Sequence, residues 1–144
     1  MPIKKKLSFF IPNSESGLEL PFVEGGIKAG FPSPALDFEG ETISLDKVLV
    51  KNHLATFYAK ADGNSMTGAG IDDGDVMVID RSLEPRDGKI AVCFIDGEFT
   101  VKRIKVEKDA LLLLPENKDF QPIKVTEENK IVIWGIVTYV IKAV

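Results

Sequence analysis

From residue 54 onward the chain keeps returning to one pattern, and that pattern leaves few folds open. "LATFYAKA" (54–61), "DVMVIDR" (75–81), "KIAVCFID" (89–96), "EFTVKRIKV" (98–106), "ALLLLP" (110–115) and "KIVIWGIVTYVIKA" (130–143) are short and rich in β-branched or aliphatic residues. Turn residues separate them. Successive side chains of a strand point to opposite faces, so such segments bury their apolar faces by pairing and packing on one another. "IDGE", residues 95–98, shows where two of them pair directly, because Asp-Gly between alternating runs reads as a two-residue type I′ hairpin. In that register Phe94 faces Phe99, Val92 faces Val101, and Ala91 faces Lys102. The pattern predicts a mostly β domain of twisted antiparallel strands over residues 41–144. One short helix precedes it in "ISLDKVLVK", with Ser44 as N-cap, Asp46 in the first turn, and Leu45, Val48 and Leu49 on one face.

Residues 1–40 have a different character. Pro12, Pro21, Pro32 and Pro34, with repeated glycines, disfavour both helix interiors and central strands. The segment reads as an extended N-terminal arm with little regular structure. Lys4, Lys5 and Lys6 near its start read as a solvated tail. The net charge of -4, from 22 acids against 18 bases, counts against a surface that grips nucleic acid directly. "LSFFIP" is too short an apolar core for a signal peptide. "IVIWGIVTYVI" (131–141) falls well short of the roughly 18 residues a membrane span needs, and reads as a buried strand. A cytoplasmic protein with no membrane attachment is expected.

The single cysteine, Cys93, excludes an internal disulfide and lies where alternation buries it. One cysteine and one histidine supply too few ligands for structural zinc. His53, at the junction of the short helix and the first strand, is a poor basis for a Ser-His-Asp triad. No metal and no cofactor are expected. Glu24, Asp37, Asp72, Asp73 and Asp75 read as solvated loop acids.

Two residues stand out from this background. In "YAKADGNSMTGAGIDDGDVMVIDR" (58–81) a strand breaks into small polar residues around Ser65 before the next strand begins. Either this is an ordinary turn or the serine is presented to something. Lys102 is the second, since alternation in "EFTVKRIKV" sets it beside Thr100 and Ile104 and across from Ala91. It is either a surface lysine lying along apolar neighbours or a partly buried amine. A serine needs a base before it attacks a carbonyl, and a neutral lysine can serve where no histidine is available. Lysine ordinarily titrates near 10.4, whereas a general base works best at about 7 to 8, so such an amine requires desolvation. Backbone N–H groups near Ser65 and Met66 would then face a developing oxyanion.

Taken in order, "AGFPSPALDFEG…ISLDKVLV", "GNSM", "GIDDGDVMVIDRS", "DGEFTVKRI" and "WGIVTYVIKAV" resemble the self-cleaving LexA-type serine peptidases. The likeness is strongest to their UmuD branch, the mutagenesis proteins of the SOS response, and runs from about residue 27 to the C-terminus. It implies that Ser65 is the nucleophile, Lys102 the general base, and the bond between Ala29 and Gly30 the site of self-cleavage. Ala29 departs from the cysteine common there in UmuD and is closer to the alanine of LexA. The resemblance further implies a LexA/UmuD-like peptidase fold behind a cleavable arm, and stimulation by a RecA filament on single-stranded DNA. It implies a homodimer of the trimmed chain, joined to a UmuC-type subunit of an error-prone translesion polymerase. The strand from Ile131 to Val140 is a candidate for core and dimer contacts. The prolines before Ala29 leave no helix-turn-helix, so a repressor is not expected. Three other readings share the same residues: a non-proteolytic polymerase-binding module, a peptidase acting on other chains, and a phage-type regulator.

Overall fold

The structure, a computed structural model, describes residues 7–12, 42–116 and 121–144, and the backbone of 19–21. Its strands are β1 (Ser8–Phe10), β2 (Glu19–Pro21), β3 (Thr42–Ser44), β4 (Thr56–Lys60), β5 (Val76–Asp80), β6 (Ile90–Ile95), β7 (Glu98–Glu107), β8 (Ala110–Leu114), β9 (Ile123–Val125) and β10 (Ile131–Ile141). One α-helix, α1 (Leu45–Leu49), lies between β3 and β4. The fold is mostly antiparallel β, as the alternating segments predict. Eight strands form one sheet in the order β1-β4-β5-β10-β6-β7-β8-β9, and β2 pairs with β3 in a second, two-stranded sheet.

The β6–β7 hairpin organises the interior. Asp96 and Gly97 both take positive φ, 50° and 80°, the backbone a type I′ turn requires. The register follows the sequence reading, with Phe94 opposite Phe99, Val92 opposite Val101, and Ala91 opposite Lys102. Val92 and Val101 join Met66, Ile71, Met77 and Ile79 in one buried cluster. Ala91 and Cys93, on the other side of the same strand, join Ile104, Leu113 and Ile136 in a second. Burial pushes the Cys93 thiol up to about 12, against the weaker opposing pull of the Lys102 charge. This thiol is a core group, as alternation indicates.

The structure adds detail to three readings. The described part of the arm contains two strands of three residues each. β1 adds to the edge of the main sheet beside β4, with Phe9 packed inward while Ser8 and Phe10 face outward. The contacts of Phe9 with Phe99 and Trp134 outweigh the proline-rich composition around it, and Pro12 follows only after the strand has ended. β2 pairs with β3, where Pro21 is tolerated because a two-stranded sheet consists of edges. The helix also differs. Ser44 ends β3 and stands at the N-cap of α1 as expected, but its hydroxyl makes no cap bond and is buried without a partner among the described residues. Leu45 and Val48 are 60% and 39% exposed, since five residues are too few to present a buried stripe. A polar contact fixes α1 instead: the Tyr58 hydroxyl donates to Asp46 Oδ1 at 3.1 Å. Finally, the short strand β9 lacks a clear signal in "PIKV". Among the described residues no helix is long and apolar enough to cross a membrane.

Strand β10 runs through the sheet centre between β5 and β6, and its register shifts between Ile133 and Gly135. The irregularity admits a close approach. A Cβ at Gly135 would lie 2.5 Å from Ile79 Cγ2 and 3.2 Å from Arg81 Cγ. Ile79 is fully buried and branched at Cβ, so it cannot swing aside. Gly135→Ala is expected to lower unfolding free energy by about 1–3 kcal/mol through overpacking, read from the urea midpoint. An unchanged midpoint would show that β5 yields at no cost.

Candidate active site

Ser65 sits in the connection between β4 and β5, and the ties that shape this connection are specific. Gly63 takes φ of 101°, a conformation L side chains rarely adopt, and its N–H donates to Asp73 Oδ1 at 2.7 Å. Ala61 N–H donates to the Asp75 carbonyl at 2.7 Å and Gly74 N–H to the Ala61 carbonyl at 2.8 Å, closing the two ends together. Between them a single 3₁₀ turn, Thr67–Ala69, is bounded by Met66 and Gly70. Met66 is buried and its carbonyl accepts from both Ala69 and Ile71, so it anchors the turn in the first cluster. Ser65, one residue earlier, is exposed. Among the described residues the N–H groups of Ser65 and Met66 donate to no acceptor.

The acids after the turn are structural, which corrects their reading as solvated loop residues. Asp75 is buried, and its Oδ2 accepts from the Asp72 N–H at 2.8 Å. Lys142, just past β10, bonds Asp72 Oδ2 at 2.5 Å and also bonds Asp75 Oδ2. Bonding to Lys142 holds the Asp75 carboxyl below its ordinary value of 3.8, and the two carboxylates hold Lys142 above its ordinary 10.5. The sequence offers no local signal for this group, because Lys142 lies far along the chain. Glu24 and Asp37 lie outside the described residues.

A cavity of about 380 Å³ opens beside the turn, lined on one side by Asp62, Asn64, Ser65 and Met66, and on the other by Phe99, Thr100 and Val101 of β7. Leu7, from the segment leading into β1, lines it as well. The turn also passes close to Glu116, which is bonded to Arg103 of the same strand. The Cβ position of Gly68 is 3.2 Å from Glu116 Oε2, and Glu116 is bound through Oε1 to Arg103 Nε at 3.0 Å.

The predicted site residues are thus brought together in part. The turn of Ser65 and the strand of Lys102 form one cavity, and Thr100, on the same side of β7 as Lys102, lines it. The lining ends at Val101, one residue before Lys102. Lys102 is half-buried, and its charge acts on Cys93. No hydrogen bond joins Ser65 to Lys102 among the described residues. Ala29 and Gly30 lie outside the described residues. His53 is exposed in the turn before β4.

The family described as Peptidase S24-like matches residues 21–138. The chain belongs to that family. Protein MucA of Salmonella typhimurium is 42% identical over 121 residues, covering 83% of this chain and 82% of MucA. Protein ImpA of Shigella flexneri is 37% identical over 131 residues, 90% of this chain and 88% of ImpA. The LexA repressor of Xylella fastidiosa is 39% identical over 123 residues, which are 85% of this chain and 57% of that repressor. Within a family of serine peptidases the chain therefore stands on the UmuD-like branch.

The Lys142 group generates a stability test with a defined sign. Asp75, lowered when folded, contributes stability that is present above its ordinary value of 3.8 and lost as pH falls through the depressed value. Lys142, raised when folded, contributes stability that is present below 10.5 and lost as pH rises past it. Lys142→Gln should flatten urea stability against pH at both ends, below about pH 4 and above about pH 10. Equal slopes in the two proteins would remove the group from the account.

Proposed function

We propose that this chain is a self-cleaving serine peptidase of the SOS response, cutting its own arm between Ala29 and Gly30. The observation that carries the reading is the family match over residues 21–138, a range that spans Ala29, Gly30, Ser65 and Lys102. The cavity shared by the Ser65 turn and β7 supports it. So does the position of the bond in the connection between β2 and β3, whose antiparallel pairing holds both ends of that connection on the protein. From Pro21 to Ala29 a fully extended chain reaches about 27 Å, enough to cross a small domain. A tethered substrate needs few recognition contacts, because its effective concentration is already high.

In this mechanism Ser65 Oγ attacks the Ala29 carbonyl carbon while its proton passes to the neutral Lys102 amine. The N–H groups of Ser65 and Met66 hold the oxyanion. The tetrahedral species collapses, the bond to Gly30 nitrogen breaks, and Lys102 returns the proton to that leaving amine. Water, deprotonated by the same amine, then releases Ala29 as a carboxylate and restores Ser65. Ala29 fits a small pocket, and Gly30 lets the backbone approach the serine closely. In this reading the arm's entry brings Lys102 and Ser65 into alignment, as bound substrate tightens catalytic geometry. A RecA filament on single-stranded DNA would act by stabilising that engaged pose. The trimmed chain would dimerise, using β10 among its contacts, and serve as the accessory subunit of a UmuC-type translesion polymerase in the cytoplasm, without gripping DNA itself.

The test is incubation of the purified chain across pH, read by mass spectrometry. Fragments 1–29 and 30–144 should appear, and faster as pH rises, because the reaction needs its base without a proton. Ser65→Ala and Lys102→Ala should each abolish the cut, and activated RecA should restore speed at neutral pH for the unaltered chain. Absence of any cut, with or without RecA, would leave a non-proteolytic binding module.

A further inference from the structure

We infer that the arm fragment released by the cut is itself a ligand of the trimmed domain, seated by two strands that the cut does not touch. The inference rests on the reading of Ala29–Gly30 as the severed bond. Both strands of the fragment pair with residues beyond that bond. β1 pairs with β4 through Ser8–Lys60, Phe9–Ala59 and Phe10–Tyr58. β2 pairs with β3 through Glu19–Ser44, Leu20–Ile43 and Pro21–Thr42. Hydrolysis between residues 29 and 30 therefore breaks one covalent link and neither of these two ladders. The two pairings act as a bivalent attachment, so loss of one leaves the other to hold the fragment nearby.

The seat of β1 is shaped for an aromatic side chain. The Phe9 ring lies 4.9 Å from Phe99 and 4.8 Å from Trp134, both in tilted or edge contact, and packs on the first buried cluster. Trp134 is clamped from other directions by Phe57 at 5.1 Å and by the Arg81 guanidinium 4.4 Å from its ring centre. Phe10, the next residue, is 57% exposed and contributes no such contact. Strand pairing supplies affinity and the alternate side chain supplies selectivity, the mode by which extended peptides add to sheet edges. Leu7 then lines the Ser65 cavity, so a retained fragment continues to form one wall of the site after the reaction. Cleavage alone does not expose the β4 edge or the Trp134 surface. A further step must displace the fragment, and that step sets when these surfaces become available to a partner.

The experiment separates this claim from self-cleavage. In a Ser65→Ala full-length chain, residues 26–31 are replaced by the recognition sequence of an added site-specific protease, which makes the cut whatever Ser65 does. The fragment is followed by native mass spectrometry and gel filtration, and Trp134, the only tryptophan, by its emission. The fragment should stay bound after cutting, with Trp134 emission unchanged. Phe9→Ser should speed its loss at least tenfold and shift the emission to longer wavelength, whereas Phe10→Ser should do neither. A measurement free of variants is hydrogen exchange of the β4 amides that face β1, which should stay slow after the cut. Prompt separation with Phe9 in place, fast exchange at β4 after cutting, or retention indifferent to Phe9 would each overturn the inference.

Discussion

Burial on both faces of a single strand is the constraint from which the rest of this protein follows. Ala91, Val92 and Cys93 are consecutive in β6 and each is fully buried. Side chains alternate, so the sheet must be covered on both sides at that point. With only a five-residue helix among the described elements, strands and connections have to supply the cover. On one side that cover includes the β4–β5 connection, whose Met66 and Ile71 complete the first cluster. The connection that carries Ser65 is therefore part of the core. Its catalytic potential rests on a packing requirement.

That dual role explains how the site is held. An exposed loop would leave a nucleophile poorly placed, and precise chemistry needs side chains fixed by neighbours. Here Asp73 bonds Gly63 on one side of Ser65, Met66 sinks into the core on the other, and Lys142 ties the far end to the tail of β10. Each tie reaches a different part of the chain. The turn that carries Ser65 is thus held by the scaffold rather than by its own local sequence.

What the sequence revealed was what local alternation controls. The hairpin at Asp96–Gly97 was readable to the residue, because a two-residue turn leaves a single register and Val92, Cys93, Val101 and Thr100 then fall on definite faces. Ser65 stood out because small polar residues interrupt two strong strands. What escaped was set by partners distant in sequence. Asp75 looks like a turn acid until Lys142 is brought to it. Phe9 sits in a proline-rich arm, and only Phe99 and Trp134 give its strand a reason to form. Ser44 does stand at the helix N-cap, yet its hydroxyl makes no cap bond while its backbone pairs with Glu19. In each case a tertiary partner outweighed the local preference.

The two lysines show how one protein can make opposite demands on the same kind of side chain. The reaction proposed for Lys102 needs its amine without a proton, whereas the turn that holds Ser65 needs Lys142 with one. Were the two groups alike, any pH that activated the first would loosen the scaffold around the nucleophile. Their surroundings differ. Two carboxylates grip Lys142 and raise its affinity for the proton. Lys102 shares its side of β7 with Thr100 and Ile104 and faces Ala91, and it has no carboxylate bonded to it among the described residues. Among the described residues, then, the lysine that ties the Ser65 turn to the end of β10 is held in its charged form by two carboxylates, while the lysine of the proposed reaction carries no such tie.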